Sequence, residues 1–460
     1  MTNQMTSSHE QPYWFGEIPL TWDVKRIKAL FSLRDERNHL PLSEVNLISL
    51  YTNIGVVQHS DLTHTTGNRA QNADGYKIVK PDDIIVNILL CWMGAIGHCA
   101  YDGVTSPAYD IYTPYPGINP RYYHYLFRTK LFSQQCYKAG KGIMAMRWRT
   151  YSPQFRNIKI PVPTLDEQNH IVDFLNWKIS KINGLINNKK KQLSLLEQRK
   201  MAIVNHVLTG GIAGVKCKPS RIEGISAIPE NWEEKALKWY VTSNDESLSG
   251  STPDDYEMDY IDISTTGFRR LKKEPVHLTF DEAPSRARRI VREGDTILST
   301  VRTYLKAILY IEPEKDGYIV STGFSVLRPK VGVYPQLLSF ALSCDYFINA
   351  VIKNSVGVSY PAINDKKLLS LKLALPASYG EQVELYRYIT KLTASTDSAI
   401  NYTRDTIKEL QDLKERIISD VVFGRIDIQS IEIPTYEYVD EDLDDVDSDE
   451  ESDKQEGEEE

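Results

Sequence analysis

Residues 16–22 read GEIPLTW, and residues 226–232, 210 positions further on, read SAIPENW. Ile-Pro with a Trp three residues after the Pro therefore occurs twice, in otherwise different surroundings. That recurrence predicts an internal duplication, and a duplication predicts further landmarks at nearly the same spacing. VKPDDII at 79–85 answers VREGDTI at 291–297, which aligns Val79 with Val291, Asp83 with Asp295 and Ile85 with Ile297, an offset of 212. YLFRTKLF at 125–132 stands where FALSCDYF stands at 340–347. IKIPVPTLDEQ ends at Gln168 and LKLALPASYGEQ at Gln382, an offset of 214, and from there the copies run without a gap to Gly210 and Gly424.

Each copy has two parts. Over roughly 12–163 and 222–376, short β-branched or alternating runs such as NLISLY, DIIVNILL, YIDIS, DTILSTV and YIVSTGFSVL are broken by Gly, Pro, Asn and Asp turns. Stretches at 120–138 and 335–353 read as helical, so each first part is a compact α+β domain. After each Glu-Gln there is no Pro for about 40 residues, and apolar residues recur at coiled-coil spacing. The first seam runs through Ile171, Leu175, Lys178, Ile182, Leu185, Lys189, Leu193, Leu196, Lys200, Ile203 and Val207. The second runs through Leu385, Ile389, Leu392, Thr396, Ala399, Thr403, Ile407, Leu410, Lys414, Ile417 and Val421. A helix over Leu165–Leu208 would extend roughly 65 Å at 1.5 Å per residue and cannot bury such a seam against itself. Its twin in the same chain is the economical partner, and the pseudo-two-fold symmetry of a duplicated protein predicts that the two lie antiparallel. Two helices each packed on its own domain is the alternative.

The chain is long enough, at 460 residues, for two or three domains, and 41% apolar with 25% charged residues describes a soluble globular protein. The stretch MTNQMTSSHE has none of the succession of a signal peptide, and the apolar run IIVNILLCWMGAIG is too short to span a bilayer, so a cytoplasmic protein without membrane partners is expected. The five Cys show no CxxC and no paired His at zinc spacing, which predicts buried free thiols and no metal site. The net charge of −8 is dominated by residues 437–460, which hold 15 acids and one Lys; the remainder has 53 basic and 47 acidic residues. A mildly basic folded part with a disordered acidic tail follows. That tail serves solubility or competes with nucleic acid for a basic groove.

Catalytic motifs are hard to find. GGIAGVK at 210–216 lacks the spacing of a phosphate loop and reads as a Gly helix stop followed by a linker. NPRY at 119–122 resembles the NPPY of amino-methyltransferases but lacks the second Pro and a preceding Gly-rich cofactor loop, and reads as a turn into a helix. No GxSxG elbow is present, and His59 and His64 lack the spacing and third ligand of a metal site. Nucleic-acid binding is better supported. KAGKGIMAMRWRTYSPQFRNIK at 138–159 mixes Lys138, Lys141, Arg147, Arg149, Arg156 and Lys159 with Trp148 and Tyr151 on Gly-rich loops, a composition suited to phosphates and base edges. The second copy offers FRRLKKE (Arg269, Arg270, Lys272, Lys273), SRARRIVR (Arg286, Arg288, Arg289, Arg292) and VRTYLK (Arg302, Tyr304, Lys306). For each cluster alone a solvated basic surface is the commoner explanation; recurrence in both copies raises the nucleic-acid reading.

The duplicated order resembles the DNA-specificity subunit of type I restriction-modification enzymes, over about residues 16–424. The residues that carry it are Ile18, Pro19, Trp22, Asp83, Pro161, Pro163, Glu167 and Gln168, then Ile228, Pro229, Trp232, Asp295, Pro376, Glu381 and Gln382. VGVSYPAINDKKLLSLKLALP at 356–376 also resembles the family's loop into its last strand. Two departures stand out: Asp82 replaces the Gly of the Gly-Asp pair kept at Gly294 and Asp295, and Ala374 with one extra residue disturbs the second IP.P, so loop geometry is expected to differ there.

The resemblance implies an α+β chain of two tandem mixed target-recognition domains separated by two long antiparallel helices. The corresponding limits are 1–163 for the first domain, 164–212 for the first helix, 213–377 for the second domain, 378–425 for the second helix and 426–460 for the disordered tail. It implies that each domain reads one half of a split, asymmetric DNA target, with half-sites centred about one helical turn, ~10 bp, apart. It implies two methylation subunits and restriction/translocase subunits as partners, which would use S-adenosylmethionine, ATP and Mg, with no cofactor held by this chain and no catalysis by it. The candidate DNA contacts are Lys141, Arg147, Arg149 and Tyr151, then Arg269, Arg270, Arg302, Tyr304, Lys306 and Tyr360. A coiled-coil scaffold with two protein-binding heads is the alternative, and would leave function indifferent to replacement of Arg147 and Arg149.

Overall fold

The computed structural model describes residues 13–52, 54–61, 72–142, 148–210, 214–358 and 360–440. The chain divides into two compact units, one built from residues up to Lys191 together with those from Arg404 onward, the other from Gln192–Thr403. Each unit is a mixed head plus one stretch of each of the two long helices, Leu165–Gly210 and Tyr379–Val422.

In the first unit the head is closed by pairing its ends. Asp23–Arg26, just after Trp22, runs antiparallel to Lys159–Val162, with Asp23 opposite Val162 and Val24 opposite Pro161. This explains why the Ile-Pro-Trp stretch and the IP.P stretch recur together: they flank two halves of one clamp. Between them the strands Phe31–Arg34, Tyr109–Pro114, Ile84–Asn87 and Ile96–His98 form an antiparallel sheet in that spatial order. Two hairpin-like pairs, Ile48–Tyr51 with Gly55–Gln58 and Lys77–Val79 with Gly103–Thr105, are joined by a parallel bridge from Leu47 to Val104. The predicted helix at 120–138 is two helices, Pro120–Phe127 and Lys130–Ala139, because Thr129 turns extended and its hydroxyl caps the second by accepting from Phe132 N. Asn119 caps the first by accepting from Arg121 N, with Pro120 at the first helical position, as the turn reading of NPRY requires.

The second unit repeats this plan. Trp232–Ala236 pairs with Lys372–Pro376, Trp232 lying opposite Pro376, so the extra residue of the second IP.P leaves the clamp regular. The sheet order Val241–Ser243, Phe324–Pro329, Thr296–Ser299, Ile308–Tyr310 matches the first head strand for strand. Val276–Thr279, Glu257–Ile261, Ile319–Ser321 and Ala287–Ile290 form the second sheet, its central pair parallel. Here too the helical stretch is divided, into Pro335–Leu342 and Asp345–Lys353, at an extended Cys344.

Each long helix begins locked to its own head. Thr164 and Glu167 form a reciprocal capping box, Thr164 N donating to Glu167 Oε2 at 2.9 Å and Glu167 N to Thr164 Oγ1 at 3.3 Å. Trp22 Nε1 donates to the other Glu167 oxygen at 3.2 Å, which ties the Ile-Pro-Trp stretch to the helix start. The neighbouring Gln168, 1% exposed, accepts from Asn119 N at 2.8 Å and donates to Pro163 O at 2.8 Å. Gln382 does the same in the second unit, accepting from Tyr334 N at 2.8 Å and donating to Pro376 O at 3.0 Å. A buried amide that satisfies both a strand end and a helix start cannot be replaced by an apolar group without stranding two backbone groups.

Within each unit the two helix stretches run antiparallel. In the first, Ile171, Leu175 and Ile179 share a core with Val421, Val422 and Phe423, while Lys414 Nζ donates to Asn183 Oδ1 at 3.1 Å. In the second, Val204, Val207 and Leu208 share a core with Leu385 and Ile389, while Lys200 meets Asp397 at 2.6 Å. Two seam positions differ from the heptad reading: Leu185 and Leu392 are exposed, and Ile186 and Thr393 are buried in their place. The buried face thus steps aside by one residue at these two points and returns to the predicted seam at Leu193 and Thr396. Lys200 with Asp397 and Lys414 with Asn183 occupy the same repeat positions, 214 apart, but the second pair lacks the carboxylate of the first. Burial lowers the Lys414 ammonium to a pKa of about 8.

After the second helix, residues up to 440 depart from the disordered tail expected over 426–460. Ile428 is buried and its carbonyl lies 2.9 Å from His170 Nε2. Ile431 and Ile433 pack on the first head's core. Further on, Ser180 Oγ donates to Glu437 O at 3.0 Å, Val439 N donates to Ser180 Oγ at 2.8 Å, and Asn183 Nδ2 donates to Val439 O at 3.2 Å. Ile428 of IDIQSIEIP is buried and Ile431 and Ile433 partly so, whereas Ile426 is exposed; averaging over a segment that ends in acids hides this spacing. Residues 441–460, which carry most of those acids, lie outside the described residues.

Candidate nucleic-acid interface

In the second head, the strand Thr296–Ser299 leads into a tight turn, Arg302 to Lys306, before the strand Ile308–Tyr310. Ser299 N donates to Ala307 O at 2.8 Å and closes the turn's base, with Thr303–Leu305 a single 3-10 turn at its tip. Arg302 (φ 50°) and Lys306 (φ 53°) both take left-handed backbone, which costs a side-chain-bearing residue roughly 1–2 kcal/mol. Such strain collects at functional sites. A second loop, 355–362, leans on this turn. Thr303 and Ser355 hydroxyls are 2.7 Å apart, Val356 and Ala362 exchange backbone bonds at 2.8 and 3.0 Å, and Ile363 N donates to Thr300 O at 2.8 Å. Gly357 is required, since its φ is 124° and a Cβ would lie 3.1 Å from Tyr360 O.

This brings four of the expected contacts together. The Arg302 guanidinium lies 4.7 Å over the Tyr360 ring, and Tyr304 and Lys306 are exposed on the same turn. Val356, 81% exposed, and Val358, 102% exposed, precede Tyr360 on this loop; the sequence reading passed over both. So short a loop carries no hydrophobic pattern to say which valines face water.

The first head builds the same frame from different side chains. Asn87 N donates to Ala95 O at 3.1 Å, the 3-10 turn is Cys91–Met93, and Gly94 (φ 92°) holds the position of Lys306. Lys141 and Arg149 exchange backbone bonds at 2.9 and 3.0 Å, and Thr150 N donates to Ile88 O at 3.0 Å, as Ile363 does to Thr300. Trp148 stacks on Tyr137 at 4.6 Å and donates to its carbonyl at 3.0 Å. Gly140 makes room for it, because a Cβ there would lie 2.4 Å from the indole nitrogen. Lys141 and Tyr151 are exposed, Arg149 is half-buried at the loop stem, and Arg147 lies outside the described residues.

Two arginines depart from the expectation. Arg269 is a structural residue: its Nη1 donates to Ser339 O at 3.0 Å and Ser343 Oγ at 2.8 Å, and the guanidinium sits 4.4 Å over the Phe340 ring. Burial lowers its pKa to about 10, and the interior of the second unit holds the charge, away from nucleic acid. Arg270 is exposed but faces Glu197 at 3.6 Å. The SRARRIVR cluster is likewise engaged, Arg286 with Asp262 at 3.1 Å and Arg292 with Glu246 at 2.6 Å. Hydrogen bonds from Arg292 and Arg328 hold Glu246 down to a pKa of about 2.

The frame under each turn rests on a buried aspartate. Asp295, fully buried, takes two bonds from Arg328 at 3.0 and 2.9 Å and one from Arg292 N at 2.8 Å. Asp83 takes two from Arg34 at 2.9 and 3.2 Å and one from Lys80 N at 2.8 Å. The arginine comes from a different strand in each head, so no repeat alignment reveals it. The loss of Gly at position 82 does not alter the turn: Asp82 adopts φ 71° where Gly294 adopts 87°. Aspartate tolerates that region better than most residues.

One scaffold built twice, with different chemistry at the same exposed turn and loop, defines a protein of tandem recognition domains seated on paired helices. The chain belongs to the family described as type I restriction modification DNA specificity domain, whose model matches residues 19–195 and 229–409. It is 25% identical over 287 residues to the type I restriction enzyme MjaVIII specificity subunit of Methanocaldococcus jannaschii, a match covering 60% of this chain and 64%, just under two thirds, of that one. It is 23% identical over 441 residues to the putative type I restriction enzyme MjaX specificity subunit of the same organism, covering 90% and 96%. A chain from a structural study of complex assembly and conformational transition of the type I R-M system shares the fold, with a TM-score of 0.50, 16% identity and coverage of 89% and 99%.

Proposed function

We propose that this chain is the DNA-reading subunit of a type I restriction-modification complex, each head recognising one half of an asymmetric, two-part target in double-stranded DNA. The observation that carries the reading is the duplicated turn-and-loop frame, conserved between the heads in backbone bonds and divergent in exposed side chains. Lys141, Arg147, Arg149 and Tyr151 serve the first head, and Arg302, Tyr304, Lys306 and Tyr360 the second. The chain performs no chemistry itself. Two methylation subunits supply S-adenosylmethionine-dependent transfer to DNA, and restriction/translocase subunits use ATP and Mg, in the cytoplasm. Among the described residues no helix is long and apolar enough to cross a membrane.

The test is reconstitution. Purified chain with S-adenosylmethionine and DNA should transfer no methyl group until methylation subunits are added, and its DNA affinity should fall steeply with salt. Methyl transfer by the chain alone, or affinity indifferent to salt, would refute the proposal.

A further inference from the structure

Aligned by repeat position, Arg302, Tyr304 and Lys306 stand where the first head has Leu90, Trp92 and Gly94. We propose that Arg302 reads a guanine through the major groove in the half-site of the second head, and that the first head reads its half-site without an arginine at this turn. The inference rests on the chain being a DNA reader.

Its support is geometric. Most arginines of the second head are held by carboxylates or by the interior: Arg286 by Asp262, Arg292 by Glu246, Arg328 by Asp295, and Arg269 by Ser339 and Ser343. Arg302 is instead stacked on an aromatic face, at 4.7 Å, and Tyr360 beneath it is itself 63% exposed. A ring covers one face of a guanidinium, whereas the N–H donors lie in its plane, so stacking orients the fork and leaves its edge available. Guanine presents O6 and N7 as adjacent acceptors in the major groove, and bidentate arginine is their commonest partner. The exposed Val356 and Val358 beside Tyr360 add apolar surface of the kind that meets a thymine methyl. Lys306, at the other end of the turn, is a phosphate contact by its point charge. In the first head Leu90 has φ −118° and no donor on its side chain, and the turn's exposed tip is Met93.

The experiment is selection from a library of randomised DNA duplexes by the full-length chain, read by sequencing. Arg302→Gly removes the guanidinium at a position whose φ of 50° suits glycine, so the turn is kept. The expected result is loss of preference for one guanine by about 5- to 150-fold, confined to one half of the two-part motif. Arg302→Lys, which keeps the charge but not the fork, should relax the same position. Lys306→Gly should weaken binding to all sequences alike and lower the salt slope by about one. An unchanged motif in Arg302→Gly, or uniform weakening without loss at one position, overturns the inference and leaves DNA reading intact. A wild-type chain that enriches no motif overturns both.

Discussion

Gly210 and Gly424 close the two long helices at the same repeat position, yet the structure assigns them opposite responses to an added methyl group. Gly424 has φ 68°, and a Cβ there would lie 2.6 and 2.7 Å from Pro19 Cδ and Cγ and 3.0 Å from the six-membered ring of Trp22. None of these is the movable end of a flexible chain: Pro19 is a ring, and Trp22 is buried in the head's core. Left-handed backbone costs alanine about 1–2 kcal/mol, and overpacking adds about 1–3, so Gly424→Ala should destabilise the first unit by roughly 2–5 kcal/mol. At about 2–4 °C per kcal/mol for a unit of this size, its melting transition should fall by roughly 4–20 °C. Around Gly210 a Cβ meets no atom within 4 Å, and the residue ends a helix. Gly210→Ala should therefore be neutral or stabilising by up to about 1 kcal/mol. Calorimetry on the two variants and wild type decides the matter. Equal losses in both, or none in Gly424→Ala, would show that the close approach of the second helix's end to the Ile-Pro-Trp stretch is wrong.

The buried lysine of the helix pair gives a pH signature. Lys414 titrates near 8 in the folded chain against an ordinary 10.5, so its cost is absent above about pH 10.5 and fully present below pH 8. Lys414→Met should gain stability over wild type at pH 7, at most about 3 kcal/mol, and the gain should shrink by pH 10.5; denaturant unfolding at the two pH values reads the difference. Asp295→Asn, which leaves the Arg328 guanidinium against a neutral amide, should cost the second unit about 3–5 kcal/mol by the same measurement. Gln382→Ala should lower the second unit's stability by about 2–3 kcal/mol through the stranded Tyr334 N–H and Pro376 carbonyl. Truncation after Arg425 removes Ile428, Ile431 and Ile433 and should lower the first unit's melting temperature.

Much of the fold was legible because its determinants are local. The Glu-Gln helix starts, the 3-4 apolar spacing and the Asn-Pro turn are written in neighbouring residues, and backbone geometry converts such patterns into helices and caps wherever they occur. The heptad reading failed only at Leu185 and Leu392, where the next residue, Ile186 or Thr393, is buried instead. The candidate site was legible in part: basic and aromatic composition picked out Arg302, Tyr304 and Lys306, which share one turn, but counted Arg269 among them. Composition records a charge without its surroundings, and Arg269 is set apart by Ser339 and Ser343, about 70 positions away.

By itself the sequence determined that the chain is a duplication, what kinds of element each copy contains, and where the long helices begin. Only the tertiary structure decided which of two equivalent glycines is pressed against a proline, which strand supplies the arginine to each buried aspartate, and that Ile428, Ile431 and Ile433 pack on the first head. The division has one physical cause. Helix and turn preferences act over a few bonds and survive copying unchanged, whereas packing depends on atoms brought together from distant positions, where the two copies have since diverged.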